Sequence, residues 1–323
     1  MDSSNSTHSA ITTLHPDIIQ SHILTRLDGT TLSSAASTGS HLRRLCTEHH
    51  IWQKISTATW PSLQDPLLTP LIFTFPATYR SIFSDSFPTV HYSSLSSSTK
   101  STPSLPKELI SAVDIYYKDK SVFSKLIRTE TYKGWFLSSP LWIELLDPNE
   151  IIHTHVKFEQ NDVVEWLEEN LSLSWIMIEP TRKRSVNLSS RLPVTVRRHW
   201  LTGELEVLYG VSMGLVQCII KVTCCGKAGG EMHVREVSLT IDDMDGRHVI
   251  GRDSMVILQG AMENGERKKV DVEKLKESFA EFCVLKRERR EGQMRREKAM
   301  DMVVMIVTIV IFGLLFRFGR FWA

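Results

Sequence analysis

The sequence predicts an α+β protein: a helical N-terminal unit, a mainly antiparallel β domain of sandwich or barrel type, and a C-terminal helix with a hydrophobic tail. Three observations carry this. Apolar residues recur at helical spacing near the start, at Ile19, Ile23, Leu24 and Leu27. From Leu109 to Gly260 the texture becomes short runs rich in β-branched and aromatic residues. From Met302 to Phe316 fifteen residues pass without a charge.

Residues 1–10 are polar and are expected to be disordered. Pro16 suits a first helical turn, where the N–H it lacks would be unpaired anyway. Asp28-Gly29 ends that helix, and Thr30 or Thr31 is placed to cap the next. The second helix carries Leu32, Ala35, Ala36, Gly39, Leu42 and Leu45 on one side, and Ile51-Trp52 closes a unit spanning 11–57. Residues 58–92 read as a helical extension. The run SSLSSSTKSTPS is too poor in apolar groups to repay ordering, which makes 93–106 a linker.

Within 107–262 the runs ISAVDIYY, VFSKLIRT, LWIELLD, IIHTHVKF, LSWIMIE, PVTVRRHW, ELEVLYG, LVQCIIKVT, VREVSLTID and SMVILQG read as strands. DMDGRH around Asp245-Gly246 reads as a hairpin turn. One helix, NDVVEWLEEN, interrupts them, with Asn161 or Asp162 as its cap. Many short strands with one helix favour antiparallel pairing over a parallel βαβ sheet. Residues 270–300 form a basic helix: between Lys286 and Lys298 lie seven Lys/Arg against three Glu.

A net charge of +1 argues against a protein that coats nucleic-acid phosphates. Five cysteines in no C-x-x-C or disulfide-framework spacing, behind an N-terminus without a signal-peptide pattern, point to the reducing cytosol.

Leu14, Pro16, Ile23-Leu24, Leu27, Leu32, Leu42, Leu45 and the terminal Ile51-Trp52 together resemble the F-box. This three-helix motif docks on a Skp-type adaptor of cullin-based ubiquitin ligases. The chain departs from the family pattern where His15 splits the usual Leu-Pro pair and where Leu42 replaces an aromatic. The Ala/Ser-rich second helix and the Ser-rich linker before a β-rich region are similar to a plant subgroup. The resemblance implies a substrate receptor that binds the adaptor, and through it cullin and RING subunits, without chemistry of its own. The adaptor-binding residues it implies are Leu14, Pro16, Ile19, Ile23, Leu24, Leu27, Leu32, Leu42, Leu45 and Trp52. Two alternatives stay open: a membrane-tethered F-box interaction protein outside a ligase, or a β-sandwich that binds a small ligand.

Other motifs carry less. CCGKAGGE lacks the Ser/Thr and helix of a phosphate loop. IDDMDG begins on Ile241 and reaches Arg252 at its twelfth position, where a calcium loop needs carboxylates. His153 and His155 share a side of their strand but lack a third ligand nearby in sequence. No catalytic residue, metal or cofactor is expected. Arg182, Lys183, Arg184 and Arg191, in EPTRKRSVNLSSR, form either a solvated turn or a basic lip for an acidic or phosphorylated protein substrate. Trp166, Trp175 and Trp200 are expected in the core.

A spanning helix needs about 20 residues. Met302 to Trp322 supplies that length if Arg317 and Arg320 snorkel to the headgroups. The basic run before it would then stay cytosolic. The expected location is the cytoplasmic face of an internal membrane, held by a tail anchor, or nucleus and cytoplasm if the tail does not insert.

Overall fold

A computed structural model describes residues 15–92, 105–157, 163–226, 229–268 and 271–319, without the side chains of His155 and of 316–319. The N-terminal residues 1–10, Leu14, the Ser-rich run 93–104, the Asn161/Asp162 cap, Lys227-Ala228, Arg320 and Trp322 lie outside the described residues.

The chain enters as α1 (Pro16–Ile18), then a π-helical turn (Ile19–Ile23), then a 3-10 turn (Leu24–Arg26). In the π turn the Leu24 N–H donates to the Ile19 carbonyl. Residues five apart therefore stack, whereas in an α-helix residues four apart would. Ile19 and Leu24 share the buried face, and Ile23 turns outward at 41% exposure. The single stripe expected from the spacing is thus split.

The cap of α2 (Gly29–Ser37) is Asp28, not a threonine: its carboxylate accepts from the Thr31 N–H at 2.7 Å and from the Thr30 hydroxyl at 2.7 Å. These donors hold the Asp28 carboxyl down at about 2. Replacing Asp28 by alanine is expected to cost about 1 kcal/mol. Because its folded value lies below the unfolded one, that contribution is present above pH 4 or so and is lost as pH falls towards 2. Thermal melts of D28A and the parent at neutral pH and at pH 2 check this; the gap should close at the acidic end.

The second expected helix is two. Ser37 and Thr38 hydroxyls bond back to the Ser34 and Ala35 carbonyls, and α2 stops before Gly39; α3 (Ser40–Cys46) then starts anew. Next come α4 (His49–Thr59), a 3-10 turn (Pro61–Gln64), α5 (Thr69–Ile72) and α6 (Tyr79–Ser86). Gly29 lets α2 approach α6, since a Cβ there would lie 2.2 Å from the Phe83 ring.

The strands form three sheets, and every ladder among the described residues is antiparallel. A two-stranded sheet pairs β1 (Thr89–His91) with β12 (Glu266–Lys268). A four-stranded sheet holds β2 (Glu108–Tyr117), β3 (Lys120–Glu130), β6 (Leu171–Glu179) and β7 (Arg184–Asn187), in the order β3-β2-β6-β7. A six-stranded sheet holds β4 (Trp142–Glu144), β5 (Ile152–Lys157), β8 (Thr195–Arg198), β9 (Leu205–Met213), β10 (Val216–Cys225) and β11 (Glu231–Asp243). Its order is β4-β11-β10-β9-β8, with β5 on the other stretch of β11. The helices α7 (Gly134–Ser138), α8 (Val163–Asn170), α9 (Gly251–Asn264) and α10 (Val272–Gly319) complete the chain.

Strand alternation sorts the side chains into layers. Val113 and Ile115 of β2, with Trp175 and Met177 of β6, face the six-stranded sheet in the main core. Ile110, Ala112, Ile176 and Ile178 point the other way, into the core of the helical unit. The four-stranded sheet is therefore covered on both faces, which is why every residue of β6 is buried. On the outer face of the six-stranded sheet, Val194 and Leu208 pack on Phe279 of α10. The layers run helices, sheet, sheet, helix.

Asp114 of β2 ties the first two layers together. Fully buried, its carboxylate accepts from the Ser62 N–H (2.8 Å), the Ser62 hydroxyl (2.6 Å) and the Ser124 hydroxyl (2.6 Å), while burial pushes its carboxyl up.

SMVILQG is helical, inside α9, rather than a strand. Met255, Leu258, Ala261 and Met262 are buried at helical spacing, whereas Val256 is 45% exposed.

Candidate functional site

The residues singled out in the first unit divide by burial. Ile19, Leu24, Leu32, Leu45 and Trp52 lie in the helical core, each at most 4% exposed. In this conformation they pack against their own chain. Trp52 anchors the core: its Nε1–H donates to the Cys46 carbonyl at 2.7 Å, and its ring lies 5.4 Å from Phe83. Pro16, Leu27 and Leu42 are half-buried, and Ile23 is exposed. Ile18, which spacing alone did not single out, is 46% exposed beside Ile23 in the same helical stretch. The inner face of the unit is thus completed by β2 and β6, and an apolar outer edge remains.

The basic residues also divide. Arg182 and Lys183 lie on the turn between β6 and β7, and Arg184 opens β7, so the expected loop is partly strand. These three line a groove of about 340 Å³ against α6, together with Arg80, Ser81, Ser84 and Asp85. The wall is fixed by Asp85, which accepts from the Ser185 N–H at 3.2 Å and pairs with Arg184 at 3.3 Å. Burial pushes the Asp85 carboxyl up against the pull of Arg184. Arg182 is held by Glu179 at 3.4 Å and by Glu263 of α9 at 3.3 Å. Burial raises Glu179 more than Arg182 lowers it. Arg191 does not join them: it is 70% exposed and pairs with Asp119 at 3.6 Å. Arg80 was missed because it lies about a hundred residues away in sequence, in a segment read only as helical.

His153 of β5 stands opposite His233 of β11, ring centroids 6.4 Å apart. Among the described residues no group of three His, Cys, Asp or Glu side chains is placed to hold a metal ion. Trp175 is core and Trp166 is partly buried against it, but Trp200 is 88% exposed on the turn between β8 and β9. Leu201 beside it is 71% exposed as well, and the His199 ring stacks at a centroid distance of 6.4 Å.

The helix α10 begins as a packed element. Phe279 and Phe282 are buried, and Lys276 pairs with Glu168 of α8 at 3.1 Å. Further along, Lys286 pairs with Asp242 at 2.7 Å, Arg290 donates to the Asp245 and Gly246 carbonyls, and Gln293 donates to Asp245 at 3.2 Å. The expected hairpin turn at Asp245-Gly246, with Gly246 at φ +76°, is thus the clasp of this helix. A second groove lies there, lined by Met244, Asp245, Leu285, Glu288, Arg289 and Arg296 among others. Beyond Met302 the helix leaves the protein, and its apolar window, of mean hydropathy 2.2, is wholly unburied.

A helical unit shares a sheet with a two-sheet β core, and the chain runs out on a long apolar helix. The chain is similar to F-box protein At2g27310 of Arabidopsis thaliana, at 43% identity over 327 residues and 96% of each chain. It is similar as well to F-box protein At3g44326 of the same plant, at 39% identity over 332 residues, 96% of this chain and 91% of that one. No family model matches the chain, and no solved structure matches it. The chain belongs to the plant F-box proteins.

Proposed function

We propose that this protein is a substrate-receptor subunit of a cullin–RING ubiquitin ligase. A Skp-type adaptor docks on the outward apolar edge of the first helical unit, at Pro16, Ile18, Ile23, Leu27 and Leu42. The β core presents a protein target, and the apolar half of α10 spans a membrane with the folded part on the cytosolic side. The receptor performs no bond-making; it holds a target lysine near the charged conjugating enzyme. The observation that supports the reading best is membership of the F-box family combined with Ile18 and Ile23, two large apolar side chains left exposed where Ile19 and Leu24 alone anchor the helical stretch in the core.

The test is capture of the adaptor by the full chain carrying Ile18→Asp and Ile23→Asp together. Each buried carboxylate would face an apolar partner surface, so a loss of about tenfold or more is expected. Both side chains are solvent-facing, so the melting temperature should hold. Undiminished capture by this variant removes the assigned edge. Adaptor recovered without cullin would favour an F-box protein working outside a ligase. Small-ligand binding finds less support, since neither groove is lined by an aromatic ring.

A further inference from the structure

We propose that β3 is a docking edge for an extended segment of the protein target, one that alternates apolar and acidic side chains and joins the four-stranded sheet as a further antiparallel strand. This rests on the receptor reading and gives the target a backbone conformation. The sheet order β3-β2-β6-β7 leaves two edges. At β7 the edge is closed: the Ser185 N–H donates to Asp85 of α6, and the Asn187 amide donates to the Pro88 carbonyl. At β3 it is open. Over 11 residues its backbone bonds to β2, and the outward N–H and C=O groups find no partner among the described residues. An edge of that length, roughly 36 Å, is a template for another strand.

Burial agrees. Every residue of β6 is buried, whereas none of β3 is. Val122, Phe123 and Ile127 are half-buried against the main core, and Leu126 is half-buried against the helical core. Both cores thus run out at this strand with apolar side chains part-covered, and a further strand would complete them. Just past its end stand Tyr132 and Trp135, 60% and 68% exposed, residue types that anchor protein contacts.

Charge selects the occupant. In the register that lays two copies of β3 fully side by side, Lys120 to Glu130 against Glu130 to Lys120, Lys125 meets its own copy on the two-fold axis. Like charges directly opposite destabilise a ladder. Lys125 is already satisfied within its chain, by Asp147 at 3.3 Å and Glu150 at 2.5 Å, and asks nothing of a partner. At the hairpin end of the edge, Lys118 and Lys120 are exposed and keep no acidic partner among the described residues; Lys118 rests over the Tyr117 ring at 5.6 Å. Glu130, at the other end, is taken up by Lys133. The uncompensated charge along the edge is therefore positive. The strand that fits is foreign, acidic, and apolar on the face it shares with Phe123 and Ile127.

The test uses the full chain in detergent and a degenerate peptide library, about ten residues long, in which acidic residues alternate with Val, Ile or Phe. Two twins carry backbone N-methyl groups, one at every acidic position and one at every apolar position. Alternation aims one set of N–H groups at β3 and the other at solvent. One twin should therefore lose at least about tenfold in retention, and the other should bind as the parent does. Equal retention of the twins overturns the proposal. Lys120→Glu and Trp135→Ala should each weaken the parent library about fivefold, with the melting temperature unchanged because both side chains are exposed. Trp200→Ala, on the β8–β9 turn, should change nothing. Loss through W200A with K120E and W135A unaffected moves the contact off this edge and overturns the proposal. So does a peptide-free dimer, seen by light scattering, that the library dissociates, which would assign the edge to a second copy. Adaptor capture is measured on the same samples. Capture retained without discrimination between the twins counts against the edge alone, and discrimination without capture counts against the ligase reading alone.

Discussion

Replacing Trp52 by alanine is expected to destabilise the protein by about 3–5 kcal/mol, the usual cost of removing a large buried aromatic. The side chain is 2% exposed, packed on Phe83, and hydrogen-bonded through its indole to the Cys46 carbonyl. Alanine leaves a cavity under α4 and an orphaned carbonyl where α3 ends. For a chain of this size the thermal midpoint should fall by something on the order of 10 °C. Trp52→Phe keeps most of the ring volume and should lose a smaller part, about 1 kcal/mol from the hydrogen bond plus a repacking term. Adaptor capture should fall with W52A although the outward edge is untouched, because Ile18 and Ile23 are positioned by this core. A midpoint unchanged within error would mean that the tryptophan is not packed as described.

Ending the chain after Asp301 is expected to move the protein from the membrane pellet to the soluble fraction. Every hydrophobic side chain from Met302 to Leu315 that meets the solvent is at least half exposed, so none of them supports the folded core. The shortened protein should therefore melt as the full chain does. The full chain should resist extraction by alkaline carbonate, and the shortened one should appear in the supernatant. Release of the full chain by carbonate would sink the spanning reading. Retention of the shortened chain would assign membrane binding to another surface.

The antiparallel β region was legible because its strands alternate or run in short β-branched blocks, and each such block but one formed a ladder. The exception, in α9, misled because Val256 and Ile257 are β-branched; the buried Met255, Leu258, Ala261 and Met262 form a helical stripe that only tertiary contact with α7 and β7 decides. The first helical unit was legible as a unit, but its faces were not. One hydrogen bond of the π turn rotates Ile23 from the stripe to the surface, and no residue spacing announces it. The capping side chain, Asp28, lies two positions before the nearer threonine expected, since a carboxylate is a stronger acceptor than a threonine hydroxyl. Burial of five supposed contact residues follows from the second face of β2 and β6, which a pattern of continuous apolar residues left without an assigned partner. Half of the basic groove was visible in the RKR run. Arg80 could join it only through the fold, when Asp85 and Ser185 lock α6 to β7.

The clasp at Asp245-Gly246 acts as a stop on a measuring rod. Gln293 is the last residue of α10 gripped by the body of the protein, and Met302 opens the apolar stretch nine residues later. An unbroken helix rises roughly 14 Å over that interval, about the thickness of one or two layers of headgroups. With the apolar half in a bilayer, the β core hovers at a fixed low altitude, unable to swing out on a tether. A receptor so mounted would scan the juxtamembrane shell and overlook lysines presented deep in the cytosol.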